Sequence, residues 1–503
     1  MWLSHVVRRG LARRPEQFAL RDVRRDVTWR ALDRDVRALA ERLRRDAGPG
    51  DRVVVLSANR VEIIETYLAC AAAGLVAVPV NPALTDAELS ALVAPVEPSA
   101  AVADTAGLAR LAEAFPQLPR LDIETVAALP DAKETWRGDG GDPAAPVAIL
   151  HTSATTGRAK GVVVDQRSLQ LNALSWIADV RPEPGTAFLN AGPLFHGSVV
   201  IALDHLAAGG TVCVLDRFTP QGALTALERW RIEHTFLVPS MVRLLLDTKG
   251  LAEADLGALR LLLHGAAPMP AELADEARKR LGVALQTIYG ITEGGGPVLS
   301  LRPDDPVGEP PVPGAVCVGN PMLGTRLRIL DQNGNEVPAG TVGELHVGGD
   351  GLMQGYWHNP DATDEVLRDG LLNTRDLGCL GPDGRVWVVD RRNDLIIRGG
   401  QNVYPAEIEH VLRRSPNVAD VVVVAVPSTV WGQIPVAFVQ PVRPGLFDAD
   451  ELLGRCVAEL AGYKRPGRFL PVDRIPRNPA GKALRGELRE RAREAVSTTK
   501  GAR

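Results

Sequence analysis

The sequence predicts an α/β protein built from parallel-rich sheets wrapped by helices. Short apolar runs bounded by turn residues alternate with segments of helical periodicity as far as Leu281. At 503 residues the chain is too long for one core, so two or more domains are expected. The loops at Thr152, Pro239, Gly265 and Tyr289 each follow a predicted strand. In open α/β sheets, that edge is where ligands bind.

The elements follow in order. Met1 to Arg14 is arginine-rich and lacks acidic residues, a composition shared with transit peptides. Leu3, Val6, Val7 and Leu11 nevertheless fall on one face, which predicts an amphipathic first helix. Phe18 to Leu20 and Val27-Thr28 read as strands, and Thr28 caps a helix running to about Arg45. Arg52 to Leu56 is a strand, Glu62 to Ala73 a helix closed by Gly74, and Val76 to Val80 another strand. Thr85-Asp86-Ala87-Glu88 has the form of a capping box. A Pro- and Gly-rich stretch, Gly138 to Pro146, leads to strands on either side of residues 152–161. Helices are expected at Leu169 to Val180, Val199 to Ala208, Leu224 to Glu233, Ser240 to Asp247 and Pro270 to Leu281. Strands are expected at Thr211 to Leu215, Thr235 to Pro239 and Leu259 to Leu263.

Composition narrows the functional classes. Hydrophobic content of 45% and charged content of 23% are ordinary for a globular protein. Lys plus Arg number 57 against 61 Asp plus Glu, a net charge of -4, which gives nucleic acid no electrostatic claim on the chain. No apolar run is long enough for a membrane span. Five scattered cysteines without a C-x-x-C pair suggest neither a zinc site nor a disulfide framework, and fit a reducing cytoplasm.

Thr152-Ser153-Ala154-Thr155-Thr156-Gly157-Arg158-Ala159-Lys160-Gly161 is the richest segment. Hydroxyls, glycines and exposed backbone N–H groups make an anion cradle, and Lys160 adds a point charge suited to phosphate. The spacing is not that of a Walker A loop. A second cluster is Tyr289-Gly290-Ile291-Thr292-Glu293. The Tyr289 ring can stack on a purine, Gly290 permits close approach of a ligand, and Thr292 can donate to a phosphate oxygen. Glu293 offers magnesium the hard oxygen ligand it requires. In Asn373-Thr374-Arg375-Asp376-Leu377-Gly378, the Asp376 carboxylate suits a cis-diol. Further on stand Asp390-Arg391-Arg392-Asn393-Asp394, Arg398-Gly399-Gly400 and Asn478-Pro479-Ala480-Gly481-Lys482.

Together these segments resemble the motifs of the adenylate-forming superfamily, which comprises acyl-CoA synthetases, carrier-protein ligases and luciferases. The family's T-S-G-[ST]-T-G-x-P-K-G, Y-G-x-T-E, T-G-D-L-G and P-x-x-x-x-G-K appear in order. They cover roughly residues 150 to 490, with looser resemblance toward the N-terminus. The departures are Ala154 and Arg375 for glycine, Ala159 for proline, and Asn393 for the usual lysine or aspartate of the hinge.

The resemblance implies an N-terminal AMP- and acyl-binding domain over residues 1–390, a hinge over 391–394 and a small mobile α+β domain over 395–503. It implies that Thr152, Ser153, Thr155, Thr156, Gly157 and Lys160 hold the phosphates. Thr292 and a magnesium ion on Glu293 share that charge, and Lys482 stabilises the transition state. Gly265, Ala266, Ala267, Tyr289, Asp376 and Arg391 contact the nucleotide. Gly399 and Gly400 line the thiol tunnel after rotation about Asn393. His196, Val238, Ser240 and Gly290 border the acyl pocket.

The activity implied is ATP-dependent activation of a hydrophobic or aromatic carboxylic acid through an acyl-adenylate, with transfer to CoA. ATP, magnesium and CoA are the expected cofactors. A carrier-protein thiol or another nucleophile is an alternative acceptor, although only about 20 residues follow Lys482 and they carry no carrier motif. A nucleotide-binding pseudoenzyme is a third reading, and the resemblance also admits a homodimer. If the family's glycine at position 154 has positive φ, Ala154→Gly should change ATP affinity or rate several-fold.

Overall fold

The computed structural model describes residues 2–133, 142–152, 159–399, 401–428, 430–478 and 481–497. Among these, strands form three sheets. The first has seven strands in the order Gly355–Tyr356, Gly161–Asp165, Pro146–His151, Val76–Pro79, Arg52–Leu56, Ala100–Ala103 and Arg120–Asp122. Its last five strands pair in parallel, and of these Arg52–Leu56, Val76–Pro79, Ala100–Ala103 and Arg120–Asp122 are each followed by a helix or 3-10 turn. Arg52–Leu56 is buried along nearly its whole length, as a central parallel strand must be.

The second sheet has fourteen strands. A parallel half joins Phe18–Arg21, Thr211–Val214, Ala187–Asn190, His234–Phe236, Leu261–His264 and Ala284–Ile291. From Gly296–Leu301 onward the pairing turns antiparallel, through Val316–Pro321, Val386–Arg391, Leu371–Leu380, Gly343–Gly348 and Arg326–Leu330. The third sheet has five strands: Gln401–Val403, Ile396–Arg398, Gly432–Pro441 and Val418–Ser428, with Arg468–Pro471 beside Gly432–Pro441. Helices Pro405–Arg413, Ala449–Glu459 and Arg485–Ser497 accompany it, giving the small α+β unit.

Local chemistry explains the boundaries. Thr28 accepts from Ala31 N–H and starts the helix Trp29–Leu43. The capping box at Thr85 and Glu88 is complete. Gly74 ends Val61–Ala73 in the left-handed conformation, and nearly every residue of that helix is buried. The first helix, Trp2–Arg13, buries Leu3, Val6 and Val7, and its Gly10 lies so close that a Cβ would meet the Trp29 ring at 2.1 Å.

Some boundaries move. The helix expected from Leu224 begins at Pro220, because Thr219 caps it and Pro220 sits comfortably in the first turn. It ends at Arg229, and Trp230 and Arg231 form the turn. The helix expected from Leu169 starts at Gln166, capped by Asp165. Tyr289 to Ile291 lie inside the strand Ala284–Ile291, not in a loop after it; pairing with Gly296–Leu301 extends that strand to the site.

Candidate active site

A cavity of about 510 Å³ opens where the two large sheets and the small α+β unit meet. Ile201, Phe236, Val238, Met241 and Ile288 give part of its lining an apolar character. Its polar groups converge from distant motifs: Thr152, Lys160, Thr292, Glu293, Arg391 and Lys482. A largely apolar cavity with a few convergent polar groups is the usual form of a small-molecule site.

The strands Pro146–His151 and Gly161–Asp165 run antiparallel, with Thr152 and Lys160 next to their paired ends. Thr152 N–H donates to the Lys160 carbonyl at 3.0 Å, and Lys160 N–H donates to Thr152 Oγ1 at 3.2 Å. The neck of the loop is therefore closed and both its residues line the cavity. Ser153, Ala154, Thr155, Thr156 and Gly157 lie outside the described residues, as does Gly400.

Thr292 and Glu293 sit on a 3-10 turn directly after Ala284–Ile291. Tyr356 donates its hydroxyl to Glu293 Oε1 at 2.7 Å, and the Lys160 ammonium stands 4.8 Å from the centre of the Tyr356 ring. Sequence reasoning missed Tyr356, which lies in a stretch with no motif signal and reaches the site only through tertiary contact. Among the described residues no group of three or more His, Cys, Asp or Glu side chains could hold a metal by itself. Glu293 fits magnesium in another way: Tyr356 fixes one oxygen and leaves the carboxylate as a single hard donor, and phosphate and water complete the shell.

Asp376 is buried and engaged twice. The Tyr289 hydroxyl donates to Oδ2 at 2.5 Å, and Arg391 Nε lies 3.1 Å from Oδ1. A carboxylate has four lone-pair positions, so acceptor capacity remains for a diol. The residue before it, Arg375, occupies the left-handed region at φ +61°. An arginine there costs about 1 kcal/mol relative to glycine. Arg375 lines the cavity and pairs with Glu365 at 2.8 Å.

Two glycines take their reason from packing. A Cβ on Gly290 would meet the Gly296 carbonyl at 2.6 Å, and one on Gly265 would meet the Ile288 carbonyl at 2.2 Å. Gly290 lines the cavity, and the close approach of the neighbouring strand by itself requires glycine there. Ala266 also lines the cavity and holds φ +62°. Gly265, Ala267, Tyr289, Asp376 and Ser240 are not among the residues that line the cavity.

The small unit delivers Lys482. Its turn packs so that a Cβ on Gly481 would lie 2.8 Å from Val238 Cγ2 and 3.1 Å from Ser240 Oγ. Asn478 Oδ1 accepts from Lys482 N–H at 2.8 Å and braces the turn. Burial pulls the Lys482 ammonium down to about 8, and Arg391 adds to this against the opposing pull of Asp376 and Asp394. Asn393 lines the cavity too, and Arg489 of the last helix donates to its carbonyl at 3.1 Å. His196 is on the wall, and burial holds its imidazole below the ordinary range, with Glu293 offsetting part of that. Gly399 lies away from the cavity, at φ +58°, with the Trp431 ring 3.2 Å from where a Cβ would stand.

The model of the AMP-binding enzyme family matches residues 7–357, and that of the AMP-binding enzyme C-terminal domain matches residues 407–482. The chain belongs to the AMP-binding enzyme family. Among curated relatives in this family, a feruloyl-CoA synthase from an Amycolatopsis species is 37% identical over 95% of this chain and 96% of its own. A fatty acid–[acyl-carrier-protein] ligase, ScoC, from Streptomyces coeruleorubidus is 35% identical over 93% of this chain and 92% of its own. Among solved structures, ATP-bound MatB from Rhodopseudomonas palustris superposes with a TM-score of 0.90 at 29% identity, covering 98% of this chain and 99% of that one. The large N-terminal unit of mixed sheets and the small C-terminal unit are thus the architecture of AMP-binding enzymes.

Proposed function

We propose that this protein is an AMP-forming acid–thiol ligase that activates a hydrophobic or aromatic carboxylic acid and passes it to CoA. The observation that carries this reading is the meeting of Lys160, Glu293 and Lys482 around one cavity that Ile201, Phe236, Val238, Met241 and Ile288 also line. The similarity to a feruloyl-CoA synthase supports an aromatic acid.

In the first half-reaction the acid's carboxylate oxygen attacks the α-phosphorus of ATP. A new P–O bond forms, pyrophosphate leaves, and an acyl-adenylate remains. Thr152, Lys160 and Thr292 hold the phosphates, and Lys482 neutralises charge developing between the α- and β-phosphates. This is positioning plus electrostatic stabilisation, the usual means of accelerating phosphoryl-type transfer. Magnesium on Glu293 supplies further charge neutralisation. Asp376, oriented by Tyr289 and Arg391, accepts from the ribose hydroxyls. His196, kept neutral by burial, borders the acid.

The second half-reaction requires Lys482 to leave and a thiol to enter. We assign the swivel to Asn393, between a large unit over 1–390 and a small one from 395, with Gly399 and Gly400 lining the thiol's approach. Attack by the thiolate on the acyl carbon forms the thioester and releases AMP. A carrier-protein thiol is the second reading, favoured by the similarity to the acyl-carrier-protein ligase. All five cysteines are free and buried, which supports a reducing compartment such as the cytoplasm. Among the described residues no helix is long and apolar enough to cross a membrane.

The test is pyrophosphate release and product mass with Mg-ATP and a panel of carboxylic acids, with and without CoA. Adenylate that converts to acyl-CoA is the expected result. Adenylate that persists in the presence of CoA moves the acceptor to a carrier thiol or another nucleophile. ATP binding with no adenylate from any acid overturns the ligase reading.

A further inference from the structure

Arg375 stands in a bulge. Along the pairing of Leu371–Leu380 with Gly343–Gly348, Glu344 faces Leu377 and His346 faces Asn373. Leu345 alone therefore spans Thr374, Arg375 and Asp376. Bulges of this kind re-aim side chains beside active sites. Here the backbone turns to φ +61° and the arginine reaches the cavity wall.

The strained position is held on both sides. Asn373 Oδ1 accepts from Arg375 N–H at 2.7 Å, and the Arg375 carbonyl accepts from Arg392 N–H at 2.9 Å. Glycine would adopt this conformation freely, so the backbone gains nothing from arginine. An arginine kept at that backbone cost has a use for its side chain.

The surroundings indicate what that use is. The guanidinium pairs with Glu365, whose side chain is 62% exposed, so the partner is a solvated surface carboxylate. Such a pair is weak and readily exchanged. The charges of Arg375 and Glu365 both act on the Tyr356 hydroxyl, which itself binds Glu293. Arg375 thus stands within electrostatic reach of Tyr356 and lines the same cavity as Lys160 and Glu293, the groups assigned above to the phosphate end of the site. Its planar fork suits phosphate oxygens better than a lysine would.

We propose that Arg375 is a phosphate-binding residue, which releases Glu365 to grip the β- and γ-phosphates of the nucleotide, the part that leaves as pyrophosphate. This rests on the nucleotide-site reading above and extends it to a residue at a position where the family motif has glycine.

The experiment is calorimetric titration of wild type, Arg375→Gly and Glu365→Gln with ATP, pyrophosphate and AMP, at low and moderate salt. Arg375→Gly should bind ATP and pyrophosphate about tenfold more weakly, the size expected for loss of a charge-assisted contact. Its AMP affinity should stay within about twofold, and its salt dependence should be shallower than that of wild type. Glu365→Gln should bind ATP more tightly, because the competing carboxylate is gone. Glycine relieves the strained φ, so Arg375→Gly should melt no lower than wild type. Equal ATP and pyrophosphate affinity in wild type and Arg375→Gly overturns this inference alone. So does a loss confined to the KM for CoA, which would assign the guanidinium to the acceptor's phosphates. A wild-type protein that binds neither AMP nor ATP overturns the nucleotide-site reading and this inference with it.

Discussion

Tyr356 and Glu293 meet through a 2.7 Å hydrogen bond although 63 positions separate them in the chain. The hydroxyl fixes one carboxylate oxygen and so determines which way the other faces. Tyr356→Phe removes the donor and leaves the ring under Lys160. A hydrogen bond to a charged group contributes about 1.5–3 kcal/mol. The magnesium concentration giving half-maximal pyrophosphate release should therefore rise about tenfold. An unchanged magnesium dependence would show that Tyr356 does not orient this carboxylate.

Lys482→Ala should slow adenylate formation by about 10²–10³, the cost of removing one preorganised charge from a transition state. ATP binding should weaken far less. The lysine acts as ammonium, and burial sets its pKa at about 8. Adenylation by the free enzyme should accordingly be full below pH 8 and fall as pH rises through it. Bound triphosphate favours the charged form, so the fall in kcat should lie at higher pH than the fall in kcat/KM. A pH profile of pyrophosphate release that is flat from 7 to 9.5 would remove Lys482 from the role given to it.

Gly399→Ala puts a methyl group 3.2 Å from the Trp431 ring at a backbone position of φ +58°. The strain is about 1 kcal/mol or more. The variant should slow thioester formation more than adenylate formation, because Gly399 is remote from the cavity that holds Lys482. Single-turnover measurement of each half-reaction checks this. Equal slowing of both would argue that the hairpin serves stability and not acceptor entry.

Burial holds His151, His234 and His264 neutral, each lowered to about 4 from an ordinary 6.5. The unfolded chain therefore binds more protons between these values, and stability present above pH 6.5 is lost as pH falls toward 4. Each histidine costs about 1.4 kcal/mol per pH unit within that window. The Tm should be level from pH 8 to 7 and drop steeply between 6.5 and 5. A Tm that held steady to pH 5 would mean that these imidazoles are hydrated in solution.

Local signals carried the parallel half of the molecule well. Arg52–Leu56, the Thr28 cap and the Thr85–Glu88 box needed nothing but neighbours in sequence. Lys160, Glu293 and Lys482, from three separate motifs, line one cavity. What stayed hidden depends on partners far along the chain. The antiparallel strands from Val316 to Arg391 are specified by cross-strand pairing, and no local periodicity announced them. Gly290 read as room for a ligand, and the space a Cβ would need there is also taken by the carbonyl of Gly296 on the neighbouring strand. Arg375 read as a departure from glycine, and only the bulge opposite Leu345 reveals that the backbone has kept the glycine conformation.

The Gly481 turn rests on Val238 and Ser240, and Val238 also lines the cavity proposed for the acid. One surface thus gauges the substrate and seats the lysine. On the proposed reading, an acid that displaces Val238 also disturbs the turn that carries Lys482. Selectivity in such a molecule is a matter of timing as much as grip: a misfit acid can occupy the pocket and depart before chemistry begins.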